Sequence, residues 1–211
     1  MSHTLPFGAA DLLHRGLNEL SLDLTLAGPL SRYLRLMERW NRAYNLTAVR
    51  DFEDMVRLHL LDSLAALPRV KGPRIADIGT GPGLPGIPLA LARPDWQVVL
   101  LDSGGKKTRF LRQAVMELGL SNAVVVQARV ESYRPDGGFD TVVSRAFAAT
   151  TTFTRLAGHL CAPGGQLLAM KGRDADDDPE ALPAGWRVVA THSLRVPGLE
   201  AVRHLVEITK D

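Results

Sequence analysis

Arg74-Ile75-Ala76-Asp77-Ile78-Gly79-Thr80-Gly81-Pro82-Gly83-Leu84-Pro85-Gly86-Ile87-Pro88-Leu89-Ala90-Leu91-Ala92 is the stretch whose reading decides the fold. Ile75, Ala76 and Ile78 form a short apolar run, the pattern of a strand buried on both faces, so a strand is predicted over 74–78. Gly79, Gly81 and Gly83 then alternate with other residues, and glycine serves a tight turn or lets a ligand approach bare backbone. From Gly86 the pattern becomes an apolar helical face with proline near its first turn, where a missing N–H costs nothing. Strand, glycine turn and helix start together describe a nucleotide-type site in the first unit of an α/β sheet.

The glycines do not say which nucleotide. Gly81, Gly83 and Gly86 satisfy the dinucleotide pattern G-x-G-x-x-G, a weak signal by itself. Two features point elsewhere. Asp77 lies inside the strand, where a dinucleotide fingerprint has an apolar residue, and Pro82, Pro85 and Pro88 remove backbone donors that would cradle a pyrophosphate. A ligand without phosphate at that place fits better. S-adenosylmethionine is one, and Asp77 to Gly83, D-x-G-x-G-x-G, resembles the first motif of the Rossmann-like methyltransferases. Asp77, Gly79, Gly81 and Gly83 are the cofactor-binding candidates of this stretch.

Outward from it, strand and helix signals alternate, which implies a mostly parallel sheet. Strands are predicted over 98–101, 124–127, 140–143 and 166–170, with helices over 106–118 and 153–160 and a turn at Pro163-Gly164-Gly165. Asp102 ends the second strand, 21 residues after Gly81, where a carboxylate commonly accepts both ribose hydroxyls of an adenosine; Ser103 follows it. Two last strands, over 187–190 and 202–209, have no helix between them and should pair antiparallel at a sheet edge. The expected fold is an α/β, Rossmann-like S-adenosylmethionine-dependent methyltransferase fold: a mostly parallel seven-stranded sheet with an antiparallel last strand, preceded by an N-terminal helical extension. The extension takes residues 1–70 and the core 71–211, packed as one unit.

In the extension, residues 1–27 carry only a weak amphipathic pattern, and residues 1–30 are expected to be disordered in part. Leu30, Tyr33, Leu34, Met37 and Trp40 form a firmer apolar face, and Arg32, Arg35, Arg39 and Arg42 line another. That arginine stripe reads either as a solvated face or as a row of phosphate contacts. A third helix, over 51–67, brings His59 and Asp62 within pairing distance. The five acids between Asp174 and Glu180 read as a solvated loop rather than a metal site, since no histidine or fixed ligand spacing accompanies them.

Composition bounds the answer. With 211 residues, 45% hydrophobic and 23% charged, the chain has the make-up of one globular core with a modest extension. The lone Cys161 excludes an internal disulfide and a cysteine metal cage, and with them the two-cysteine chemistry of many pyrimidine C5 methylation enzymes. No signal peptide or long apolar run is present, so the expected location is the cytoplasm, with no membrane and no structural metal. The net charge is +2, but residues 1–115 hold 15 Lys and Arg against 11 Asp and Glu, so the surplus lies on the half carrying the glycine loop. That permits a nucleic-acid partner.

At the carboxyl end of the fourth strand the sequence is Ser144-Arg145-Ala146-Phe147, without the Asn/Asp-Pro-Pro-aromatic run that holds exocyclic amines, and without an evident general base. An acceptor needing no deprotonation fits, such as guanine N7, and its methylation is dominated by positioning. Arg145 could clamp the methionine carboxylate or an RNA phosphate; Phe147 reads equally as a base-stacking or a core aromatic.

The chain resembles the bacterial 16S ribosomal RNA guanine-N7 methyltransferases of the RsmG (GidB) family. The resemblance is carried by W-N-R-A-Y-N-L-T-A-V-R from Trp40, H-L-L-D-S from His59, the glycine stretch, L-L-D-S-G-G-K-K-T-R-F-L-R from Leu100, S-R-A-F-A, L-A-M-K-G and E-A-V-R-H-L-V. It implies an enzyme that methylates N7 of one guanine in the 530 loop of 16S ribosomal RNA, alone or in the 30S particle, as a monomer. It also implies that Gly79, Leu84, Asp102, Val130, Glu131 and Arg145 contact the cofactor, and that Arg129, Arg145 and Arg203 serve activity. Lys171 lies at the mouth of the site by position and completes the catalytic candidates. The RNA-binding candidates are Arg35, Arg39, Arg42, Lys106, Lys107 and Arg109. Gly104 departs from a family position with larger residues. The alternative reading is an NAD(P)-dependent oxidoreductase in which Asp102 holds the ribose, although no Tyr-x-x-x-Lys, catalytic His–Asp pair or substrate domain accompanies it.

Overall fold

The computed structural model describes residues 5–145, 147, 149–172 and 182–211; the acidic run at 174–180 lies outside the described residues. Helix α1 (Phe7–Glu19) is followed by α2 (Ala27–Tyr44), which stops where Asn45 takes the left-handed conformation at φ 49°. Asp51 caps the next helix by accepting from the Glu53 and Asp54 N–H groups. That helix runs as α3 (Phe52–Met55), a π-helical stretch (Val56–Leu61) and α4 (Asp62–Ala65). The core then alternates β1 (Arg74–Ile78), α5 (Gly86–Ala92), β2 (Gln97–Asp102), α6 (Gly105–Leu118), β3 (Ala123–Gln127), β4 (Phe139–Ser144), α7 (Thr150–Ala157) and β5 (Cys161–Lys171), ending in β6 (Trp186–Leu194) and β7 (Arg203–Lys210).

The sheet order is β3-β2-β1-β4-β5-β7-β6, with β7 antiparallel to both neighbours and all other pairings parallel. The predicted fold, including its antiparallel last strand, is therefore present. Successive β1 side chains serve opposite faces, as the strand period requires. Ile75 joins the apolar cluster of the N-terminal helices with α5 and α6, whereas Ala76 and Ile78 join Phe153, Ala157 and Leu160.

Three expectations change. Residues 7–19, weakly patterned in sequence, form α1, with Leu13 and Leu17 fully buried and Gly16 packed so tightly on Leu61 that an added Cβ would lie 2.4 Å from its Cδ1. Burying two leucines contributes roughly 3–6 kcal/mol, enough to hold a helix of weak periodicity in place. The expected turn at Pro163-Gly164-Gly165 lies inside β5, where Gly164 takes φ +76° and the β4–β5 register shifts between Phe139 and Thr141. Glycine there bends the strand as a bulge rather than reversing it. His59 meets Thr47, with Nε2 2.9 Å from Oγ1, rather than Asp62. Burial, aided by the Arg145 charge, lowers its pKa to about 4, so the imidazole is neutral.

Candidate active site

The loop after β1 is folded by its own glycines and by two buried carboxylates. Gly79, Gly81 and Gly83 have φ of 65°, 61° and 100°, angles that side-chain-bearing residues rarely adopt. At Gly83 space is also short, since a Cβ would lie 2.5 Å from Ile87 Cδ1; at Gly81 nothing lies nearer than 3.9 Å, so its constraint is conformational.

Asp77 holds this loop from beneath. It is fully buried, and its Oδ2 accepts from Thr80 Oγ1 at 2.6 Å and from the Gly86 N–H at 2.7 Å, joining the loop to the start of α5. Burial pushes its carboxyl up from 3.8 to about 6, against those hydrogen bonds and the Arg145 charge. Assigned to the cofactor from its place in the motif, Asp77 instead faces the protein interior: in a strand buried on both faces, an inward carboxylate reaches only its own loop. Leu84 is likewise in the core, 2% exposed. From the other side the buried Tyr33 hydroxyl of α2 donates to the Pro82 carbonyl at 2.6 Å, an anchor no sequence motif announces.

Asp102 joins this loop to the one after β2. Its Oδ2 accepts from the Gly81 N–H at 3.0 Å and its Oδ1 from the Gly104 N–H at 2.8 Å, while Lys107 Nζ stands 3.6 Å from Oδ2. Above it opens a cleft of about 290 Å³, at the lower end of the size range of small-molecule sites. Gly79, Asp102, Ser103, Lys107, Arg129 and Glu131 supply its polar lining, and Ile78, Leu101, Ala128, Val130, Phe147 and Leu156 its apolar wall. Phe147 also stacks on Phe153 at 5.3 Å between ring centroids, so it is both a core aromatic and a cleft wall.

A second cleft, about 290 Å³, is lined by Leu58, Asp62, Arg145, Met170, Lys171, Gly172, Leu194, Arg203 and His204. Lys171 of the second cleft donates through Nζ to the carbonyl of Phe147, which lines the first, at 3.3 Å. Sequence reasoning groups Arg129, Arg145 and Arg203 together; the fold puts Arg129 on the first cleft and the other two on the second. Arg145, taken as a cofactor ligand, turns its guanidinium to the Asp62 carboxylate and the Leu58 carbonyl, both at 2.9 Å. Arg203 reaches the same carboxylate at 3.2 Å. Sequence reasoning gives Asp62 no place in the site, although H-L-L-D-S is a visible signal.

The candidate RNA residues divide between α2 and α6, which pack together. Arg39 pairs with Glu117 of α6 at 3.2 Å, Arg42 with Glu38 at 2.7 Å, and the Arg35 guanidinium lies 4.5 Å over the Phe52 ring. Lys106, Lys107 and Arg109 are exposed at the start of α6. No metal-binding group of three or more His, Cys, Asp or Glu occurs among the described residues, and no helix among them is long and apolar enough to cross a membrane.

A family model described as GidB, rRNA small subunit methyltransferase G, matches residues 27–206. A protein of Stenotrophomonas maltophilia strain K279a, named ribosomal RNA small subunit methyltransferase G, is 52% identical over 207 residues, 98% of each chain. The like-named protein of Nitrosococcus oceani is 52% identical over 200 residues, 94% of each. Among solved structures, a SAM-dependent methyltransferase from Aquifex aeolicus aligns with TM-score 0.55 at 19% identity, over 72% of this chain and 92% of that one. The methyltransferase SibL, in its apo form, aligns with TM-score 0.59 at 17% identity, over 97% and 74%. Those structures share the sheet and its helices, and the sequence relatives share nearly the whole length at half identity: the chain belongs to the rRNA small subunit methyltransferase G (GidB) family.

Proposed function

We propose that this protein methylates N7 of one guanine in the 530 loop of 16S ribosomal RNA, with S-adenosylmethionine as the donor. The observation that carries the reading is an adenosine-sized cleft with a carboxylate on its floor, set beside an arginine-lined cleft in a chain of this family. The first cleft suits the donor's chemistry. Asp102 offers a carboxylate for the ribose hydroxyls, the open space at Gly81 leaves backbone approachable, and Ile78, Leu101, Val130 and Phe147 give the adenine an apolar wall. Bound there, the donor supplies an electrophilic sulfonium methyl.

What remains for the chain is binding and orientation. Guanine N7 carries a lone pair and brings no proton to remove, so no side-chain base is required. His59 is neutral and tied to Thr47, and Arg145 acts as a fixed fork of donors for an anion. Lys106, Arg109 and the arginine face of α2 form the basic surface assigned to RNA, with a monomer acting in the cytoplasm. The oxidoreductase alternative lacks support in a chain of a methyltransferase family. The decisive experiment is methylation of unmodified small-subunit RNA and of 30S particles with the modified base mapped: one N7-methylguanine in the 530 loop is expected, and methyl incorporation at any other atom overturns the assignment.

A further inference from the structure

We infer that Asp62 is a positioning residue for the RNA substrate: its carboxylate holds the guanidiniums of Arg145 and Arg203 side by side, as one seat for a phosphodiester. This rests on the methyltransferase reading above. Arg145 comes from the end of β4 and Arg203 from the start of β7, and two guanidiniums brought together repel each other unless a counterion lies between them. Asp62, 5% exposed, supplies it, with Oδ2 2.9 Å from Arg145 Nη1 and Oδ1 3.2 Å from Arg203 Nε. One oxygen serves each arginine.

The helix beneath is shaped for this. Leu58 lies in the π-helical stretch and Asp62 directly follows it, and both accept from the same Arg145 nitrogen. A π turn is uncommon and concentrates where a helix must present a group out of regular register. Two arginines against one aspartate leave a net positive charge, and Lys171 and His204 line the same cleft. The net positive charge and the paired forks fit a backbone phosphate of the acceptor RNA.

The test compares the full-length wild type with Asp62→Asn and Asp62→Glu, on whichever of naked RNA or 30S particles the wild type methylates. Affinity for S-adenosylhomocysteine is read by calorimetry, kcat and KM for RNA by methyl incorporation, and RNA affinity as a function of salt. Asp62→Asn removes the counterion and turns an amide against a guanidinium, so kcat/KM for RNA should fall about tenfold or more. Its affinity for S-adenosylhomocysteine should stay within about twofold. The salt slope of RNA binding should drop by about 0.7–0.9, as expected when one phosphate is no longer neutralised, a readout that a merely structural role would not move. Asp62→Glu, which keeps the charge and displaces it, should fall between wild type and Asp62→Asn, and carries the test if the asparagine variant does not fold. In a cycle with Arg203→Lys the losses should be less than additive, because both act through one pair. Unchanged kcat/KM with an unchanged slope overturns the inference, as does a loss of S-adenosylhomocysteine affinity in step with activity. A wild type that binds S-adenosylhomocysteine but methylates no small-subunit RNA overturns the functional reading itself, whereas an active wild type with an equally active Asp62→Asn removes this inference alone.

Discussion

Replacing Asp77 by asparagine should change how the stability of the fold depends on pH, by an amount set by the burial of that carboxylate. Its pKa rises from 3.8 to about 6 on folding, chiefly because the ionised form is taken out of water. The folded state therefore holds its proton more tightly than the unfolded chain does. The stability this brings is full below pH 3.8 and is lost as pH rises through about 6. A shift of this size corresponds to about 3 kcal/mol at neutral pH, of which about 2 kcal/mol develops between about pH 4 and pH 7.

Asparagine carries no titrating proton, and its carbonyl can accept the same bonds from Thr80 and Gly86. Its amide would fall where Asp77 Oδ1 is buried without a hydrogen-bond partner, at a pH-independent cost of about 1–3 kcal/mol. Urea unfolding of both proteins across that pH range should thus show Asp77→Asn gaining on the wild type by about 2 kcal/mol as pH rises, whatever the offset at either end. Other titrating groups cancel in the difference. Parallel curves would refute this reasoning, because they would mean that Asp77 titrates normally and that the loop above it is open to water. Cofactor affinity should stay near wild type in Asp77→Asn, since the loop keeps both ties, and should fall in Asp77→Ala, which loses them.

Asp102→Ala should weaken S-adenosylmethionine binding by about 1.5–3 kcal/mol in calorimetry, through lost ribose bonds and the release of the Gly81 and Gly104 N–H groups; unchanged affinity would take Asp102 away from the ribose. Gly81→Val should bind worse still, because its φ of 61° is costly for a β-branched residue, and a folded variant with normal affinity would contradict the placement of the loop. Neutralising Arg35, Arg39 and Arg42 together should lower RNA affinity and reduce its salt slope by up to ~0.9 for each phosphate released, with cofactor affinity unchanged. The exposed pairs with Glu117 and Glu38 cost less than about 1 kcal/mol each to exchange for phosphate; an unaltered slope would make the stripe a solvated face. Arg145→Lys keeps the charge but loses the fork, so turnover should fall steeply with the fold intact, while the pH profile of turnover in the wild type stays flat from about 6.5 to 9. A basic limb near neutrality, abolished by changing one His or Asp, would mean an acceptor that must lose a proton.

The order of strands and helices, the glycine loop and the place of Asp102 could be read from the chain alone. Each rests on local physics: Ile75, Ala76 and Ile78 declare a doubly buried strand, alternate glycines declare a turn, and an acidic residue at the next strand's end follows from the geometry of the unit. Even the antiparallel end of the sheet followed from the absence of a helix between the last two strands. What tertiary structure alone decided concerns partners far apart in sequence. That Asp77 faces its own loop, that Tyr33 holds Pro82, and that Asp62 gathers Arg145 and Arg203 depends on packing between elements 9 to 141 residues apart. Periodicity reports which face of an element is buried, but not which neighbour a polar group on that face will meet. The same limit explains the separation of Arg129 from the other two arginines: all three lie at carboxyl-end or edge positions of one sheet, and only the twist and order of its strands assign them to different clefts.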